Sequence, residues 1–161
     1  MNADGMSRAL LTRMSNNGAK NYRALRVWDA AREVKQSLYD LVETPPFDRA
    51  ERLREQLREA AASAVSQISE GYGRFEPGDH ARYLKMARAS LVECQNHLVD
   101  AMDRRLISDS VREEHEKRIQ GVLNGIGGLI AYLQSPEAKR NVERIKQQRA
   151  ARRARLSNDE P

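Results

Sequence analysis

Aromatic side chains make up only 5% of this 161-residue chain, and cysteine occurs once, at Cys94. A single cysteine excludes an intramolecular disulfide and a metal site built from several thiolates of one chain. No stretch approaches the roughly 20 consecutive apolar residues needed to cross a bilayer. The first twenty residues carry Asn, Asp, Ser, Arg and Lys where a secretory signal needs an apolar run. The expected location is therefore the cytoplasm. What is abundant is Leu, Ala and Arg, the residues that long helices favour. One all-α domain is the expectation for a chain of this length.

Apolar spacing resolves the chain into helices. From about Arg23, Val27, Ala31, Val34, Leu38 and Leu41 recur at steps of three and four beside Trp28, until Pro45 and Pro46 stop the helix. Asp48 is the expected N-cap of a second helix, with a small-residue seam of Ala50, Leu53, Leu57, Ala60, Ala64 and Ile68. Gly71 and Gly73 are expected to close it through positive φ. Pro77-Gly78-Asp79 then forms a turn whose Asp79 caps a third helix, running to about Arg104 with the seam Leu84, Ala87, Leu91, Cys94, Leu98 and Ala101. Ser108 or Asp109 caps a fourth, with the seam His115, Ile119, Val122, Ile126, Leu129 and Leu133. Four such seams with short connections predict an up-down-up-down four-helix bundle over residues 22–135. Ser135-Pro136-Glu137 repeats a helix-start signature, so a basic helical extension follows from 136 to about 155, with a loose end from Ser157 to Pro161. Residues 1–21 show no apolar period and read as a leader.

Charge is segregated along the chain. Residues 1–27 carry five basic side chains against one acidic, residues 28–135 carry 15 against 18, and residues 136–161 carry eight against four. Basic ends on a slightly acidic body suit an anionic partner. Between positions 139 and 155 of the tail, Lys139, Arg140, Arg144, Lys146, Arg149, Arg152, Arg153 and Arg155 oppose only Glu143. Cations spread around a helix with little to bury suit the phosphates of a nucleic acid backbone. They do not suit a membrane surface, because the segment lacks Trp, Phe and a continuous apolar face. Arg74, His80, Arg82 and Lys85 gather near the start of the third helix, where an anion is welcome. Arg23 and Arg26 add cations at the start of the first.

Catalytic signatures are missing from the pattern. A di-iron bundle needs inward carboxylates and two Glu-x-x-His pairs, whereas Glu93 and His97 stand four apart. Glu113, Glu114, His115 and Glu116 form a charged cluster at a helix start, as the helix dipole favours. Cys94 lies in an apolar seam, where it acts as a small hydrophobe. The expectation is no cofactor, no metal and no enzyme. Glu70, Ser90 and Glu93 are expected to form a buried polar set. Gly121, Gly125 and Gly128 leave one side of the fourth helix nearly bare, for close packing within the bundle or against another subunit. Tyr83, Met86, Ser90 and Val92 fall off the main seam of the third helix and hint at further association.

The order Tyr22-Arg-Ala-Leu-Arg-Val-Trp-Asp-Ala-Ala-Arg, Gln56-Leu-Arg-Glu-Ala-Ala-Ala-Ser, Ile68-Ser-Glu-Gly-Tyr-Gly-Arg, Tyr83-Leu, Ala89-Ser-Leu-Val-Glu and Leu123-Asn-Gly resembles the bacterial four-helix-bundle protein family. That family includes the intervening-sequence proteins encoded within large-subunit ribosomal RNA genes, and is similar to the accessory variability proteins of diversity-generating retroelements. The resemblance covers about residues 22–134. It implies a homopentameric barrel without a catalytic centre. In the retroelement branch it implies a basic surface that holds RNA and a reverse transcriptase. A proline usual in helix two is replaced near Val65, which implies a straighter second helix. The expected function is a non-enzymatic accessory protein that binds nucleic acid, RNA before DNA, through Arg23, Arg26, Arg74, Arg82, Lys85 and the tail cations. The alternative is a protein scaffold whose basic tail docks on an acidic partner without touching nucleic acid.

Overall fold

A computed structural model of the chain describes residues 22–74 and 76–158, with the side chains of residues 149 and 152–158 left undescribed. The expected leader and the last three residues lie outside it. A short 3-10 turn, Tyr22–Ala24, leads into α1 (Arg26–Val42). A second, Phe47–Arg49, precedes α2 (Glu51–Gly73), followed by α3 (Pro77–Asp103), α4 (Asp109–Leu133) and α5 (Pro136–Asn158). Helix α1 packs on α2 and α4, and α3 packs on α2 and α4, closing a four-membered ring of up-down-up-down helices. The most extensive packing is between α2 and α3. The buried faces of these two helices include the small side chains Ala60, Ala61 and Ala64 of α2 and Ala87 of α3.

The predicted seams form the core. Every seam residue named for α3 and α4 is buried, as are those of α2 and four of the five in α1. In α1 the last core position is Val42, with Leu41 half-buried beside it. Helix α2 runs unbroken past Val65, as a chain lacking a proline there allows.

Helix ends depart from the expectations in several places. Asp48 sits in the 3-10 turn, and α2 starts after Ala50 with no side-chain cap. Asp79 lies inside the first turn of α3, because Pro77 already occupies the first helical position, where its missing N–H costs nothing; Glu76 precedes it without a side-chain cap. No glycine among the described residues has positive φ. The left-handed position falls instead on Arg105, φ 59°, after α3. Its N–H donates to the Met102 carbonyl at 2.8 Å, and the Leu106 N–H donates to the Ala101 carbonyl at 2.9 Å. These are the paired hydrogen bonds of a Schellman ending. Ser108 caps α4 as predicted, its Oγ accepting from the Val111 N–H at 3.3 Å. Ser135 likewise accepts from the Ala138 N–H at 3.2 Å and starts α5, which continues through Asn158, three residues beyond the expected end.

The buried polar set is also different. Glu70 and Glu93 are exposed. Ser90, 7% exposed, donates to Ser63 Oγ at 3.1 Å and lies 3.5 Å from Gln67 Oε1 across the α2–α3 interface. A seryl hydroxyl there keeps its hydrogen bonds while letting the helices stay close. Gly121 faces open space, where an added Cβ would meet nothing within 4 Å, so close packing inside the chain does not explain it. Met86 and Val92 are exposed, and Val99 lies two turns beyond Val92 on the same side of α3.

Candidate nucleic-acid interface

In an up-down-up-down bundle the start of α1, the α2–α3 junction and the α4–α5 junction share one end. The 3-10 turn at Tyr22–Ala24 packs on α2 as well as α1, consistent with that placement. Three stretches of cations far apart in sequence therefore meet: Arg23 and Arg26, then Arg74, Arg82 and Lys85, then Lys139, Arg140, Arg144 and Lys146. All of them are exposed. Arg149, Arg152, Arg153 and Arg155 follow on α5, with side chains beyond those described.

The two ends of the bundle differ in how many of their arginines are paired, although Arg49, Arg52 and Arg105 at the far end have no carboxylate partner among the described residues and Arg32 in the first turns of α1 pairs with Asp29. Toward the far end, Arg54 and Arg58 pair with Glu43, Arg104 with Asp100, and Arg118 with Glu114. Arg112 is clamped among Asp109, Glu113 and Glu116. At the near end Arg26, Arg74, Arg82, Lys85, Lys139, Arg140 and Arg144 have no carboxylate partner among the described residues. Lys146 is the exception, its Nζ 2.8 Å from Glu76 Oε1. That pair draws α5 against the entrance of α3.

At the α2–α3 junction the backbone leaves α2 at Arg74, in extended conformation, and enters α3 through Glu76 and Pro77. The Arg74 guanidinium stands 4.9 Å from the centre of the Tyr83 ring, and Nη2 donates to the Tyr83 hydroxyl at 2.7 Å. Arg82 lies 5.3 Å from the same ring. One half-buried tyrosine thus positions two guanidinium groups. At the start of α1, Arg23 covers the Tyr22 ring at 5.7 Å, and Tyr22 meets Trp28 edge-on.

His80 does not join these cations. It is 4% exposed, turned inward, and its ring meets Tyr72 edge-on at 6.4 Å. Burial brings its pKa down to about 4, so it is neutral at physiological pH. Gly71 is what makes room for it: a Cβ there would lie 2.8 Å from Tyr83 Cβ and 3.0 Å from His80 Cδ2. The glycine therefore serves close approach, not a left-handed turn.

Elsewhere the polar chemistry is that of helix packing. Ser37 Oγ lies 3.2 Å from His115 Nδ1 and 3.4 Å from Arg118 Nη1, joining α1 to α4. Burial, and then the Arg118 charge, lower the His115 pKa, with Glu114 opposing. A histidine inside an otherwise apolar seam was the signal for this tie, but the Ser37 partner required the helix register. Burial, with the Glu93 carboxylate adding to it, pushes the Cys94 thiol up to about 12, which leaves it protonated and unreactive. Among the described residues no group of three or more His, Cys, Asp and Glu side chains is placed to hold a metal. Nor is any described helix long and apolar enough to cross a membrane.

Comparison with curated proteins finds no match. The family model described as 23S rRNA-intervening sequence protein matches residues 23–128, from the 3-10 turn before α1 into the last turns of α4. The match spans the ring of four helices and the α2–α3 junction, and the chain belongs to the 23S rRNA-intervening sequence protein family.

Proposed function

We propose that this protein is a non-enzymatic, homopentameric accessory protein that binds RNA through the basic end of its bundle and the cations of α5. The observation that carries the reading is the convergence of three basic stretches on one end. Seven of their cations have no carboxylate partner among the described residues, while toward the other end Arg54, Arg58, Arg104, Arg112 and Arg118 are paired and Arg49, Arg52 and Arg105 are not. Exposed cations on several elements suit a path of phosphates, which positions a nucleic acid without reading its bases. The family's name, with its reference to 23S rRNA, favours RNA over DNA. The open side of α4 at Gly121 and the exposed Val92 and Val99 on α3 leave surface for neighbouring subunits.

The test is a salt-titrated RNA-binding measurement on the full chain and on a variant with Lys139, Arg140 and Arg144 replaced by Gln. Binding should weaken steeply with salt. The log–log slope should drop by about 0.7 for each phosphate that the variant no longer neutralises. Light scattering should give five times the 18.3 kDa chain mass for both proteins. Absence of RNA binding, with retained capture of a protein partner such as a reverse transcriptase, would favour a scaffold that docks through its tail.

A further inference from the structure

The α2–α3 junction differs from the rest of the basic end in holding guanidinium groups against an aromatic ring. Arg74 and Arg82 stand 4.9 Å and 5.3 Å from the Tyr83 ring centre, and the Tyr83 hydroxyl fixes Arg74 at 2.7 Å. Neither has a carboxylate partner among the described residues. The base of the Tyr83 side chain lies at the Gly71 crossing, where no added methyl would fit, so α2 sets where the ring leaves α3. The Glu76–Lys146 pair brings Lys146 of α5 to the start of α3, two residues along the chain from Arg74.

Phosphate binding alone does not require such an arrangement, since a lysine on any surface helix serves as a point charge. A planar guanidinium held in a fixed attitude offers two things at once: a flat face on which an unstacked base can lie, and N–H edges for a phosphate. In a duplex the bases are stacked on each other and only the edges would be used. We propose that the Arg74–Tyr83–Arg82 stack binds unpaired RNA nucleotides, with α5 holding the adjoining backbone. Tyr83 is a positioning residue, and the two arginines touch the RNA. This inference rests on the RNA-binding reading above and adds the class of RNA that the junction selects.

The test compares the full chain with the double variant Arg74→Lys, Arg82→Lys, which keeps both charges and removes both planes. The probes are a mixed-sequence RNA single strand of about 15 nucleotides, within the span such sites cover, and its duplex with the complementary strand. The variant should bind the single strand about tenfold more weakly while its affinity for the duplex stays within about twofold. The variant Tyr83→Leu should show the same split, because both guanidinium groups lose their support. Unchanged single-strand affinity in the lysine variant would overturn the stacking site and leave the general RNA reading intact, as would equal losses on both probes. If the unaltered protein binds neither probe, the RNA reading itself fails.

Discussion

Lys146 of α5 reaches Glu76, the residue that leads into α3, at 2.8 Å, the one ion pair among the described residues that ties the basic extension to the bundle. Beside it, Asn141 donates to the Tyr132 hydroxyl at 3.2 Å and Ala138 is 3% exposed, so the first turns of α5 have modest packing of their own. Both partners of the ion pair are more than half exposed, and such pairs are screened by salt. Replacing Glu76 with Gln should therefore speed amide hydrogen exchange in α5 around residue 146 without moving the melting temperature of the bundle. Raising salt on the unaltered protein should reproduce the effect. An unchanged exchange rate in α5 would show that the pair does not hold the helix.

His80 predicts an acid-sensitive bundle. Its folded pKa of about 4 lies below the ordinary 6.5, so between those values the unfolded chain binds the extra proton and the folded chain does not. The stability associated with neutral His80 is fully present above pH 6.5 and is lost as pH falls toward 4. Buried His115 shifts in the same direction. The loss at His80 is on the order of 3 kcal/mol when complete. Urea unfolding at pH 7 and pH 4.5 should show it. His80→Phe, which keeps a ring against Tyr72, should reduce that difference and leave the part due to His115.

Gly71 and Gly73 stand two residues apart and should respond in opposite ways. An alanine methyl at position 71 would press on Tyr83 Cβ at 2.8 Å, so Gly71→Ala should cost about 1–3 kcal/mol through forced separation of α2 and α3. At position 73 nothing lies within 4 Å and φ is negative, so Gly73→Ala should be neutral or stabilising by up to about 1 kcal/mol. Paired thermal melts decide it; equal effects would contradict the close crossing at Gly71.

Arg105 occupies a left-handed backbone position that glycine adopts without steric penalty. Arg105→Gly should stabilise the α3–α4 turn by about 0.5–1 kcal/mol, and Arg105→Val should destabilise it by a similar amount or more. Chemical denaturation of the three proteins gives the order directly.

Much of the bundle is legible from spacing alone, and the junction is legible only in part. The seams of α3 and α4 can be read because one apolar stripe per helix, at steps of three and four, admits one inward face. The caps expected at Asp48 and Asp79 fail for a local reason. An Asp caps only where the backbone just ahead of the helix is extended, and here a 3-10 turn and Pro77 set the starting points first. Glu70 and Glu93 stand close to the seams in sequence, yet carboxylates so near the edge turn outward to water, while Ser63, Gln67 and Ser90 meet across two helices. Arg74, Arg82 and Lys85 can be named as neighbours from their positions in the chain. That Tyr83 gathers the first two, and that His80 turns away from them, cannot.

The sequence by itself determined the helical class, the number of helices, their inward faces and the placement of positive charge at the two chain ends. Those properties follow from periodicity and composition, which act within one helix at a time. Tertiary structure alone decided that Tyr83 gathers Arg74 and Arg82, that Gly71 is needed for a crossing, and that Lys146 meets Glu76. Each of these depends on the relative register of helices far apart in the chain, which is set by how side chains interlock across the core and leaves no mark in any single segment.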